Sequence, residues 1–121
     1  MRRVRTADCL ELGRWYSLQA EKPPSVALPK VGLIEDGVAA GFLYQADGGL
    51  GLIDGYVSNP EASSTERHKA LNEITVELMR IANENGITNV IALTKDPSIA
   101  IRATMHGFKD LGLYCLFTKE V

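Results

Sequence analysis

Ser63-Ser64-Thr65 and, two residues on, Arg67-His68-Lys69 stand between a β-rich run and a long amphipathic run that contains no glycine. Hydroxyls followed by basic groups at the start of a helix suit an anion, because first-turn N–H groups lack intrahelical partners and the helix dipole is positive there. The same residues serve equally as a helix cap and a solvated first turn. No cysteine or carboxylate falls at metal-ligand spacing around His68 or His106, and no Ser/His/Asp order surrounds a nucleophile elbow. A metal is therefore not expected. Cys9 and Cys115 lie far apart without CxxC spacing, and read as two core thiols.

The elements that must position these residues follow from periodicity. Val4 suits only an edge strand or a loose start, and residues 7–19 offer a helix with Thr6 or Asp8 as cap and Trp15 as a buried anchor. Three prolines in 21–29 forbid regular structure and predict a surface loop. Two β-rich runs, 30–35 and 38–45, flank Asp36-Gly37, the dipeptide suited to a type I′ hairpin. A break at 46–49 then leads into a third strand over 50–58, which completes an antiparallel meander.

The long helix follows. Leu71, Ile74, Leu78, Ile81 and Ala82 recur at spacings of three and four on one face, Ser63 and Glu66 fit a capping box, and Asn85-Gly86 supplies the stop. Residues 89–93 read as a central strand parallel to the strand before the helix, so the middle of the chain is a βαβ crossover. Asp96-Pro97 opens a short helix ending near His106-Gly107, and 111–118 (LGLYCLFT) predicts a final strand.

With 121 residues, 45% of them hydrophobic, the chain suits one domain with one core, spanning 1–121. Its 15 acidic and 13 basic side chains are scattered, leaving no basic field for nucleic acid or a membrane surface. No apolar run approaches the roughly 20 residues of a membrane span, so a cytoplasmic protein is expected.

This α/β order, with a mixed sheet, resembles the GCN5-related N-acetyltransferase (GNAT) superfamily as a divergent member. The resemblance covers nearly the whole chain. It is carried by Val4-Arg5-Thr6-Ala7-Asp8, by the 32–43 hairpin, by 52–60 and the long helix after it, by 86–93, and by the 98–108 helix closing in Gly107-Phe108. It implies acetyl-CoA as cofactor, lying in a gap beside the strand that precedes the long helix, and an amine of a small molecule or protein as acceptor. By this resemblance the main chain of Gly55, Tyr56 and Val57 pairs with pantetheine and polarises the acyl carbonyl, with Ser58 beside them. The turn holding Ser63, Ser64, Thr65, Arg67 and Lys69 meets the pyrophosphate. Asp54 is the candidate base, partly desolvated at the gap, and Tyr114 or Tyr56 the candidate acid.

The sequence departs from the family at two points. The phosphate-loop glycines fall on Lys69 and Leu71, with the acid Glu66 at the first motif position. Ala103 stands where the family often has its tyrosine acid. The second reading is therefore a GNAT-fold protein without catalysis, of the kind plausible in phage or mobile elements, which binds a protein partner. The apolar last strand leaves room for a homodimer through sheet edges.

Overall fold

The computed structural model describes residues 1–19, 29–94, 96–112 and 114–121. The loop expected over 21–29 lies outside them, apart from Pro29. Strand β1 (Arg2–Arg3) leads through a 3-10 turn (Thr6–Asp8) into α1 (Cys9–Leu18). Strands β2 (Val31–Glu35), β3 (Ala39–Gln45) and β4 (Leu50–Ser58) form the meander. Helix α2 (Ser64–Glu84) crosses over to β5 (Asn89–Ala92), and α3 (Pro97–Met105) follows.

The sheet order is β1-β2-β3-β4-β5, antiparallel except for the β4–β5 pair. Alternation along β2 to β4 sends one set of side chains to each face. Leu33, Leu43 and Ala39 meet Ile74, Leu78 and Ile81 of α2 on one side. Ile34, Phe42 and Val57 meet Leu12, Trp15 and Tyr16 of α1 on the other. Trp15, fully buried, is the anchor its position suggests.

Both long connections are closed by the chemistry read from sequence. Ser63 accepts from Glu66 N at 3.1 Å, while Glu66 turns back to the Ser63 hydroxyl rather than to its N–H. At the other end of α2, Ile87 N bonds to Ala82 O and Gly86 N to Asn83 O, with Gly86 at φ 77°. That is a Schellman stop, and only a left-handed residue closes it. The same pair of bonds closes α3, from Phe108 N to Ala103 O and Gly107 N to Thr104 O.

Four expectations fail. Residues 89–93, expected as a central strand, form β5 at the end of the sheet among the described residues, paired with β4 alone. The β2–β3 ladder resumes at Glu35 opposite Ala39, so the hairpin loop holds residues 36–38 rather than a two-residue type I′ turn. Gly37 takes the left-handed conformation, at φ 73°, and Val38 N closes on Glu35 O. Cys9 and Cys115 are both exposed rather than core thiols, Cys9 because it faces outward from the first turn of α1. Finally, the described residues of 111–118 form no strand. Leu111, Tyr114, Leu116 and Phe117 are exposed, because a strand apolar on both faces needs cover on both, and no helix lies over them.

Candidate functional site

Strand β4 changes character halfway along. Residues 50–53 pair with β3 on one side and with Asn89, Val90, Ile91 and Ala92 on the other. Among the described residues the strand keeps only its antiparallel neighbour beyond Ile53, so residues 54–58 present an edge that β5 does not reach. This edge runs toward the first turn of α2.

A β-bulge marks the change. On β3, Phe42 sits opposite Asp54 and Ala40 opposite Val57, so Gly55 and Tyr56 together face Gly41 alone. Gly55 adopts φ 68°, a left-handed conformation that costs a residue with a Cβ about 1–2 kcal/mol. The extra residue reverses the alternation. Ile53 and Tyr56 both reach the α2 face, whereas Val57 packs with α1.

The bulge is held from both faces. Tyr16 of α1 donates its hydroxyl proton to Gly55 O, and the Gln19 amide grips Ser58 at both ends, donating to its Oγ at 3.2 Å and accepting from its N–H at 3.4 Å. On the opposite face the Tyr56 ring lies over Gly41, where an added Cβ would come within 2.6 Å of Cε1. The Tyr56 hydroxyl meets Thr75 Oγ1 at 2.9 Å, and Thr75 in turn donates to Leu71 O, so the tyrosine proton points at Thr75. Burial pushes the Tyr56 hydroxyl up to about 12.

The side of α2 bordering this edge carries His68, Asn72 and Thr75, spaced one turn apart. Helix α3 docks on it through two polar contacts. Arg102 Nη2 lies 2.6 Å from His68 Nδ1, which requires the ring nitrogen to accept, and His106 Nε2 lies 3.1 Å from Asn72 Oδ1. Burial lowers the Arg102 pKa, offset in part by Tyr56 and Asp96. The Nε atoms of Arg67 and Arg102 are buried without a partner among the described residues. A guanidinium in that condition is ready for an anion.

The residues expected from sequence divide accordingly. Tyr56, Val57 and Ser58 do lie together on the unpaired half of β4, but the Ser58 side chain is occupied by Gln19. Ser63 caps α2, Ser64 and Thr65 are exposed at its first turn, Arg67 is half-buried on the side of Ala70 and Ile74, and Lys69 points to solvent. Asp54 sits beside the bulge, paired across from Phe42, and is exposed rather than partly desolvated. The bulge has put it on the opposite face from Tyr56. Tyr114 donates to Leu111 O within its own segment and is 75% exposed.

Thr75, Asn72 and Arg102 were not picked out from sequence. A lone arginine in the apolar run PSIAIRATM was the available signal for Arg102. A hollow of about 360 Å³ between Met1 and the 72–77 side of α2 contains no residue of β4. The described residues include no cluster of three metal-ligating side chains and no helix long and apolar enough to cross a membrane.

No family model matches the sequence, and no curated protein matches it. Among solved structures, Rv2747 from Mycobacterium tuberculosis, crystallised in complex with CoA and NLQ, superposes with a TM-score of 0.65. The match covers 92% of this chain and 72% of Rv2747 at 21% identity. At that identity the likeness is one of fold. The mixed α+β architecture expected from the sequence is the architecture of that CoA-bound protein.

Proposed function

We propose that the chain binds acetyl-CoA along the unpaired half of β4 and transfers the acetyl group to an amine. One observation carries this reading. A strand in mid-sheet gives up its parallel partner after Ile53, and a bulge at Gly55 turns its main chain beside a helix N-terminus. Main-chain polar groups inside a sheet are ordinarily paired, so such an edge calls for a ligand with donors and acceptors of its own. The CoA complex of a protein with the same fold supports the choice of ligand.

The residues fit the group in part. The first-turn N–H groups of Ser64 and Thr65 and the Arg67 guanidinium, whose Nε has no partner among the described residues, suit phosphate. The Glu66 carboxylate, drawn to the Ser63 hydroxyl, opposes it, and no glycine between Pro60 and Asn85 lets the backbone approach closely. Phosphate binding here rests on side chain and helix end rather than on a glycine loop, and the affinity is correspondingly modest.

When bound, the thioester supplies an activated acyl carbon. The main chain of Tyr56 and Val57 would meet the acyl oxygen. Asp54, exposed at the start of the open half, would receive the amine proton through water. Tyr56 does not serve as the acid. Its hydroxyl is buried and committed to Thr75, which in turn donates to Leu71 O, so it is not directed at a departing thiolate.

Release of CoA thiol in the presence of acetyl-CoA and a panel of amines tests the proposal. Turnover that falls in Asp54→Asn with acetyl-CoA affinity retained supports the assigned roles. Undiminished turnover in Asp54→Asn removes Asp54 as the base, and the absence of acetyl-CoA binding removes the proposal.

A further inference from the structure

Helix α3 brings one cation to the α2 side of the open half of β4. Among the described residues the Arg102 guanidinium gives a single hydrogen bond, to His68 Nδ1 at 2.6 Å, and its Nε is buried without a partner. The titratable groups around it are His68 on α2, with Arg67 one residue before it, Tyr56 on β4, and Asp96 at the cap of its own helix. None of them neutralises it. His68 accepts and so carries no charge in this contact, Tyr56 keeps its proton on Thr75, and Asp96 is engaged by the N–H and hydroxyl of Ser98.

Position along the edge separates Arg102 from Arg67. The chain passes from Ser58 to the Ser63 cap, so the first turn of α2, with Arg67, borders the Ser58 end of the open half. Tyr56 bonds instead to Thr75, about three turns into the helix, and Arg102 lies within electrostatic reach of that tyrosine. Arg67 thus suits phosphate, and Arg102 stands nearer the main chain of Tyr56 and Val57. Asp54 is on the opposite face, so an acceptor amine that gives up its proton there approaches from the side away from Arg102. What remains on the α2 side is the sulfur.

We infer, on the acetyl-CoA reading above, that Arg102 is the counter-ion of the CoA sulfur and pairs with it as the thiolate. When the amine displaces it, the electron pair of the C–S bond stays on sulfur and the amine proton goes through water to Asp54. The guanidinium balances one negative charge and gives up no proton. An alkyl thiol ionises at roughly pH 8.5, and a cation beside it moves that value down.

Calorimetry with CoA and with desulfo-CoA, which has hydrogen in place of the thiol, tests this between about pH 7 and 9.5, a range that brackets the free thiol. A site that prefers the thiolate binds CoA more tightly as pH rises, and desulfo-CoA does not share the gain. The affinity ratio of CoA to desulfo-CoA should therefore climb about tenfold, the factor for one pKa unit. Arg102→Met should flatten the ratio with desulfo-CoA affinity retained, and Arg102→Lys should keep part of the rise. A flat ratio in the wild type, with both ligands bound, overturns the inference and leaves the acetyl-CoA reading standing. Equal loss of both ligands in Arg102→Met, with far-UV dichroism intact, also overturns it and makes Arg102 a phosphate contact. If the wild type binds neither, the reading and the inference fall together.

Discussion

The two halves of β4, LGLI and DGYVS, belong to one strand and have opposite surroundings. Residues 50–53 are paired on both sides and packed beneath α2, whereas 54–58 are paired on one side and bent by the Gly55 bulge. The first half stabilises the fold, and the second is kept open by contacts outside the ladder: Tyr16 on Gly55, Gln19 on Ser58, Tyr56 on Thr75. Three side chains from α1, its C-cap and β4 thus hold this edge in shape. Changes to the first half should therefore cost stability, and changes to the supports of the second should cost ligand binding out of proportion to stability.

The largest effect belongs to the paired half. Leu43, opposite Ile53 and 1% exposed, should lose about 2–5 kcal/mol on Leu43→Ala. Urea unfolding would show it, with acetyl-CoA affinity unchanged in the molecules that remain folded. Next comes Gly41→Ala, whose new Cβ would press on the Tyr56 ring and back the bulge outward. Overpacking of this kind costs about 1–3 kcal/mol, and here it should also weaken acetyl-CoA binding. If Gly41→Ala loses stability with binding untouched, the bulge is merely structural.

Tyr16→Phe removes one hydrogen bond to Gly55 O and should cost about 0.5–1.5 kcal/mol. Its effect on binding should exceed that figure, read by calorimetry beside the unfolding curve.

The smallest effect is one of pH. Arg2 bridges Asp8 and Asp36, donating to Asp8 at 2.7 and 2.9 Å, and this contact, with the Arg5 N–H, lowers Asp8 from 3.8 to about 2. Because the folded value lies below the unfolded one, the stabilisation is complete above pH 3.8 and fades as pH falls toward about 2. Asp8 seats the start of α1, the helix that carries Tyr16 to the bulge. In Asp8→Asn the acid limb of a thermal-stability profile should flatten over that window.

The paired half was legible in the sequence and the open half was not, for physical reasons. Helix faces, caps and the meander announce themselves through local patterns of period two and 3.6, and α2 follows its pattern from the Ser63 cap to the Gly86 stop. A bulge leaves no such trace. Without the register of Gly41 against Gly55 and Tyr56, strict alternation along Ile53-Asp54-Gly55-Tyr56 puts Asp54 and Tyr56 on one face. The bulge moves Tyr56 to the α2 face and leaves Asp54 on the other, where it is exposed. Thr75 and Arg102 were hidden differently, since Thr75 acquires its role only when Tyr56 of β4 packs against α2, and Arg102 only when α3 folds back on α2. The strand expected over 111–118 is not formed by its described residues, because an aromatic and branched composition declares a need for cover without declaring which element provides it.

The central claim, that the open half of β4 receives acetyl-CoA, is tested most directly by following backbone amide resonances during titration with the ligand. The account predicts saturable shifts concentrated at 54–58 and 63–67, with residues 50–53 nearly still, and about 2.7 kcal/mol of added stability at 100 times the dissociation constant. Saturable shifts elsewhere, or none at millimolar acetyl-CoA, would contradict it.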